Sequence, residues 1–126
     1  MSDSNMRVLV IDDDRSILEV VEIALRERGY EVLLADDGAE GLFRVERDRP
    51  DLIILDMVMP RRSGLTVLER LKQWKGECPR IIVMSANDEP RHREFALTCG
   101  ADAFLAKPID IDLVIDQVDA LLSNSL

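Results

Sequence analysis

Asp51-Leu52-Ile53-Ile54-Leu55-Asp56 is a run of four large aliphatic residues closed at each end by a carboxylate. A continuous apolar run, with no polar residue alternating through it, is expected of a strand covered on both faces. Asp51 to Leu55 is the most apolar such run in the chain and is predicted to be the central strand, with Asp56 at its carboxyl end. Working back from it, Pro50 ends a helical segment read over Ala39 to Arg47. Asp36-Asp37-Gly38 is a turn, and Glu31 to Ala35 a short strand. Before that, Ile17, Val21, Ala24, Leu25 and Arg28 follow helical spacing, with Gly29 as C-cap. Arg7-Val8-Leu9-Val10-Ile11 is a second continuous apolar run and the first strand.

Working forward, Leu65, Leu68 and Leu71 mark a helix from about Ser63 to Trp74, with Ser63 as candidate N-cap. Pro79 precedes a fourth strand over Arg80 to Met84. Asp88 to Thr98 reads as a helix with Pro90 in its first turn, and Gly100 ends it. Ala103-Phe104-Leu105 is a short fifth strand. Asp110 caps a last helix that carries Ile111, Val114, Ile115, Val118 and Leu121 on one face. Ser123 to Leu126 reads as a frayed end or the start of a linker. Alternating strands and helices imply parallel strands, right-handed crossovers and helices on both faces. The fold class is therefore α/β, a flavodoxin-like doubly wound sheet of five parallel strands in the order 2-1-3-4-5. Residues 1–126 make one domain, with a core over about 7–122 and no internal repeat or linker.

Composition narrows the function. Apolar residues make up 47% of the 126, enough for one real core. The net charge of −9 argues against direct nucleic-acid binding, which needs cations to neutralise phosphates. It suits a protein that meets other proteins or a cation. No apolar run is long enough to cross a bilayer, and Met1 to Asn5 carries no feature of a signal peptide, so a cytoplasmic protein is expected. Cys78 and Cys99 lack paired-cysteine spacing and are read as reduced, buried thiols.

Ligands of an open α/β sheet bind beyond the carboxyl ends of the strands, near the switch in strand order. Asp12, Asp13 and Asp14 follow the first strand, Asp56 the third, Ser85 the fourth, and Lys107-Pro108 the fifth. In the proposed order these ends converge on one rim. Crowded carboxylates repel, and burial adds to the cost. Asp12, Asp13 and Asp56 against Lys107 leave a formal −2. A hard divalent cation with oxygen ligands, Mg²⁺ or Mn²⁺, cancels it. A carboxylate in such a site can act as nucleophile on phosphorus, with cation, ammonium, hydroxyl or backbone N–H groups on the equatorial oxygens.

Taken in order, Val8-Leu9-Val10-Ile11-Asp12-Asp13, Asp51 to Pro60 with Gly64, Val83-Met84-Ser85-Ala86, and Gly100 to Pro108 resemble the receiver domain of response regulators, including chemotaxis-type single-domain regulators. The likeness runs from Arg7 to about Leu122. It implies Asp56 as phosphoacceptor, and Asp12, Asp13, Asp56 and the Val58 backbone carbonyl as metal ligands. It also implies Lys107 and Ser85 as phosphoryl contacts, and Ser85 with Phe104 as the switch pair. The Lys107–Pro108 bond stands where the family has a cis peptide. Phe104 lacks the hydroxyl of the tyrosine often found at its position. The implied donor is a histidine kinase or histidine phosphotransfer protein. The implied output is a downstream protein or an appended domain, reached through the fourth helix, fifth strand and fifth helix, in a monomer or a phosphorylation-dependent dimer. Such a chain is a switch that assists its own phosphorylation and dephosphorylation, not a turnover enzyme. It fits a stand-alone receiver and a receiver of a longer regulator equally.

Plainer readings compete. Aspartates at strand ends are commonly turn formers or caps. Three in a row allow a frame shift; the strand register favours Asp12 and Asp13, leaving Asp14 as N-cap or solvated. Lys107 alone reads as a solvated lysine, Phe104 as a core ring, His92 as an exposed helix residue, and Arg61-Arg62 as a solvated loop edge within reach of a partner. An aspartyl-nucleophile phosphohydrolase would carry a second Asp two residues after the nucleophile, where this chain has Val58, and a cap insertion, which it lacks. A flavodoxin would need Ser, Thr and Gly after the first strand. A receiver-shaped interaction module that is never phosphorylated is the remaining alternative.

Overall fold

The computed structural model describes residues 6–57, 64–73, 78–86 and 89–123, and the backbone but not the side chain of Leu65. Val58, the Arg61-Arg62 pair, Ser63, Trp74, Asn87 and Asp88 lie outside these residues. The elements are β1 (Arg7–Ile11), α1 (Arg15–Glu27), β2 (Glu31–Ala35), α2 (Gly38–Asp48), β3 (Leu52–Asp56), α3 (Gly64–Lys72), β4 (Arg80–Ser85), α4 (Pro90–Thr98), β5 (Ala103–Ala106) and α5 (Ile111–Ser123). The sheet is parallel throughout, in the order β2-β1-β3-β4-β5. This is the doubly wound architecture read from the alternation of elements.

Each strand feeds two cores because side chains alternate across the sheet. Leu9, Ile11, Ile53, Leu55, Ile81, Val83 and Phe104 join Val45, Val67, Leu68 and Leu71 in one cluster, beneath α2, α3 and α4. Val8, Val10, Leu52, Ile54, Ile82, Met84 and Leu105 meet Leu18, Val21, Leu25, Val114 and Val118 in the other, beneath α1 and α5. All four aliphatics of β3 are fully buried, as expected for the central strand of a two-sided sheet.

Several boundaries differ from the sequence reading. β3 starts at Leu52 and takes in Asp56, because Asp51 turns outward and accepts the Arg7 N–H at 2.8 Å. β4 extends to Ser85 and β5 to Ala106. α2 begins at Gly38 and ends at Asp48, and the described part of the fourth helix begins at Pro90. In α1 Leu18 is buried along with Val21 and Leu25, while Ile17 is only packed against the core's edge. Cys78 is exposed rather than buried, since it lies in the connection ahead of β4, outside both cores; Cys99 is buried as expected.

Candidate acidic rim at the carboxyl edge of the sheet

The strand register sets the site. Ile11 pairs with Leu55 and Asp56 with Met84, so the carboxyl ends of β1, β3 and β4 lie side by side. Ser85 pairs with Ala106, and the Lys107 N–H donates to the Ser85 carbonyl at 2.9 Å. Asp12, one residue past β1, donates its N–H to the Ala35 carbonyl at 3.1 Å. Its Oδ1 accepts the Asp14 N–H at 2.8 Å, which folds the turn over the strand end. Asp14 then caps α1 by accepting the Ser16 N–H at 2.9 Å, the structural role left for it by the register.

Carboxylate oxygens of Asp12, Asp13 and Asp56 lie within 4.8 Å of one another. Asp12 and Asp56 are buried, Asp13 is exposed, and Ser85 is fully buried. Lys107 Nζ reaches Asp12 Oδ2 at 3.0 Å and Asp56 Oδ1 at 3.3 Å. Burial pushes the Lys107 ammonium down, but contact with Asp12 and the charge of Asp56 outweigh it, so its pKa sits above the usual lysine range. The Lys107–Pro108 bond is cis.

The donor set is all oxygen, the chemistry of a hard cation. Asp12 Oδ2 is buried and, among the described residues, has no aligned hydrogen-bond donor; its contact with Lys107 is one of charge. One ammonium against three carboxylates leaves the rim at a formal −2. The residues therefore fit a divalent cation.

Gly64 closes the rim from below. Its N–H donates to the Met57 carbonyl at 3.0 Å, and a Cβ there would stand 2.2 Å from the Asp56 carbonyl oxygen. Only glycine permits α3 to start this close to the strand that carries Asp56.

Of the residues singled out in the sequence, the structure brings Asp12, Asp13, Asp56 and Lys107 together, with Ser85 beside Lys107 along the strand ends. Phe104 pairs in register with Val83 and packs with it in the α4-side cluster. Ser85, two residues beyond Val83, faces the same side. One neighbour was missed: Arg93, from the charged stretch before Phe95, sets its guanidinium 5.0 Å from the Phe104 ring centroid. Only tertiary packing of α4 on β5 reveals that contact.

A doubly wound parallel sheet with clustered carboxylates and a lysine at its carboxyl edge is a CheY-like signalling architecture. The chain belongs to the response regulator receiver domain family, whose model matches residues 8–119. It is 42% identical over 120 residues to the response regulator MprA of Mycobacterium leprae, covering 95% of this chain. It spans 52% of that relative's length, about half. The receiver domain of the Francisella response regulator 1452 is similar, with a TM-score of 0.91, 32% identity, and coverage of 97% of this chain and 100% of that one. The CheX–CheY–BeF3–Mg²⁺ complex from Borrelia burgdorferi contains another likeness, at a TM-score of 0.86 and 25% identity, covering 93% of this chain and 89% of that one.

Proposed function

We propose that this chain is a phosphorylation-driven switch of a two-component or phosphorelay pathway, with Asp56 as phosphoacceptor. The observation that carries the reading is the buried Asp56 carboxylate, 3.3 Å from Lys107 Nζ and clustered with Asp12 and Asp13. An Asp56 oxygen attacks the phosphorus of a phosphohistidine on a histidine kinase or histidine phosphotransfer protein. The P–N bond breaks, its electron pair leaves with the imidazole nitrogen, and an acyl phosphate forms. Bound Mg²⁺ or Mn²⁺, held by Asp12, Asp13, Asp56 and the Val58 carbonyl, would supply neutralisation of phosphoryl charge. Lys107 holds one phosphoryl oxygen and the Ser85 hydroxyl another. The presence of BeF3 and Mg²⁺ in the Borrelia relative's complex supports this assignment.

Phosphorylation adds close to −2 charge. Drawing Ser85 toward the phosphoryl group makes room on its face of the sheet for the Phe104 ring. The surface of α4, β5 and α5 changes with it and signals to a downstream protein or an appended output domain, in the cytoplasm, as a monomer or a phosphorylation-dependent dimer. Among the described residues no helix is long and apolar enough to cross a membrane. Incubation with a small phosphodonor and Mg²⁺, followed by peptide mass analysis, tests the acceptor. One phosphoryl group on Asp56 in the wild type and none in Asp56→Asn is expected; modification at another wild-type residue would overturn it.

A further inference from the structure

We propose that Arg93 is a positioning residue that latches the Phe104 ring inward, so that part of the switched arrangement is held before any phosphoryl group arrives. The inference rests on the switch reading above and assigns it a regulator. Phe104 is only 5% exposed and packs in the α4-side core. A cavity of about 450 Å³ opens beside it, between α4, β5 and α5, lined in part by Arg93, Ala106, Leu113 and Gln117. The ring sits in the core at the edge of this open groove, which leaves room for it to swing outward. Arg93, exposed on α4, holds its guanidinium 5.0 Å from the ring centroid. A cation over an aromatic face is attracted by the ring's quadrupole, and turning the ring out of this face-on geometry weakens the attraction. Phe104 has no hydroxyl with which to fix either position, so the contact with Arg93 carries weight that a tyrosine's hydrogen bond would share. An exposed contact of this kind is worth a factor of about two to five in the inward-to-outward ratio.

By linkage, whatever favours the inward ring also favours a phosphoryl analogue that needs it. The test uses protein labelled with fluorophenylalanine, the Phe104 signal being identified by its loss in Phe104→Leu. Arg93→Gln keeps a flexible polar side chain, shorter by the guanidinium end, and drops its charge; Arg93→Lys keeps the charge without the planar head. Fluorine NMR of the free protein should show the Phe104 inward-to-outward ratio falling about two- to fivefold in Arg93→Gln, with Arg93→Lys between it and the wild type. Beryllofluoride affinity in Mg²⁺ should fall by at most the same factor. If beryllofluoride moves the Phe104 signal in wild type and Arg93→Gln alike, and their free-state signals coincide, the latch is overturned while the switch stands. If beryllofluoride moves the Phe104 signal in neither the wild type nor Arg93→Gln, the switch reading fails and the latch with it.

Discussion

Charge crowding around Asp12 governs the chemistry at the scale of single residues. Two buried carboxylates, Asp12 and Asp56, share one ammonium, and the exposed Asp13 lies beside them. A cation that binds this cluster in the folded chain alone stabilises it by mass action. Mg²⁺ at ten times its dissociation constant should raise the unfolding free energy by about 1.4 kcal/mol in urea titrations. In Asp13→Asn the same gain should need more Mg²⁺; a wild-type midpoint indifferent to Mg²⁺ would contradict this. Gly64→Ala tests the backbone beneath Asp56. The new Cβ would meet the Asp56 carbonyl at 2.2 Å and Met57 Cα at 2.7 Å, backbone atoms that cannot swing aside. The variant should lose about 1–3 kcal/mol of stability, as overpacked sites do, measured by urea denaturation. The aspartate frame was legible in the sequence, because a five-residue apolar strand ends where Asp12 begins. Arg93 was not, since an arginine in a charged stretch looks the same whether or not a ring lies beneath it.

Among the elements, strands were easier to read than helix faces. β3 announces itself by four aliphatics in a row, and only its ends slipped, because a carboxylate can close a strand from inside or outside. The apolar face of α1 is broad, reaching Val20 and Ile23, so spacing could not tell that Leu18 is buried while those two remain exposed. Packing against α5 and the sheet decides that phase. Of the helix caps, Asp110 was legible and accepts the Leu113 N–H at 3.3 Å, whereas Asp37, read only as part of a turn, caps α2 by accepting the Glu40 N–H at 2.8 Å. The other end of α2 is less comfortable. Arg49 holds a left-handed φ of 49° there, a region that strains side-chain-bearing residues and suits glycine. Arg49→Gly should therefore raise stability by about 0.5–1 kcal/mol, read as a higher thermal midpoint.

Across the whole molecule, α5 is tied to the opposite edge of its layer by Asp119, which pairs with Arg28 and accepts the Tyr30 hydroxyl. Burial first, then the hydrogen bond to Asp119, pushes the Tyr30 phenol from 10.0 up to about 12. The folded chain thus holds this proton more tightly than the unfolded one. That contribution is complete below pH 10.0 and fades as pH climbs toward about 12. The difference in unfolding free energy between wild type and Tyr30→Phe should be flat through neutral pH and shrink across that alkaline window. A difference that grows there would contradict the assignment. At this scale the alternation of elements was enough to read the topology. The wiring between α1 and α5 was not readable, because Tyr30 and Asp119 are far apart in sequence and neither type implies the other.

The proposed switch depends on a cation-bridged rim that places a phosphoryl group on Asp56. Fluorine NMR of the protein with beryllofluoride, with and without Mg²⁺, tests this most directly. A bound beryllofluoride signal should appear only with Mg²⁺, and should be absent from Asp56→Ala. A bound signal that survives in Asp56→Ala, or that forms without any divalent cation, would contradict the account.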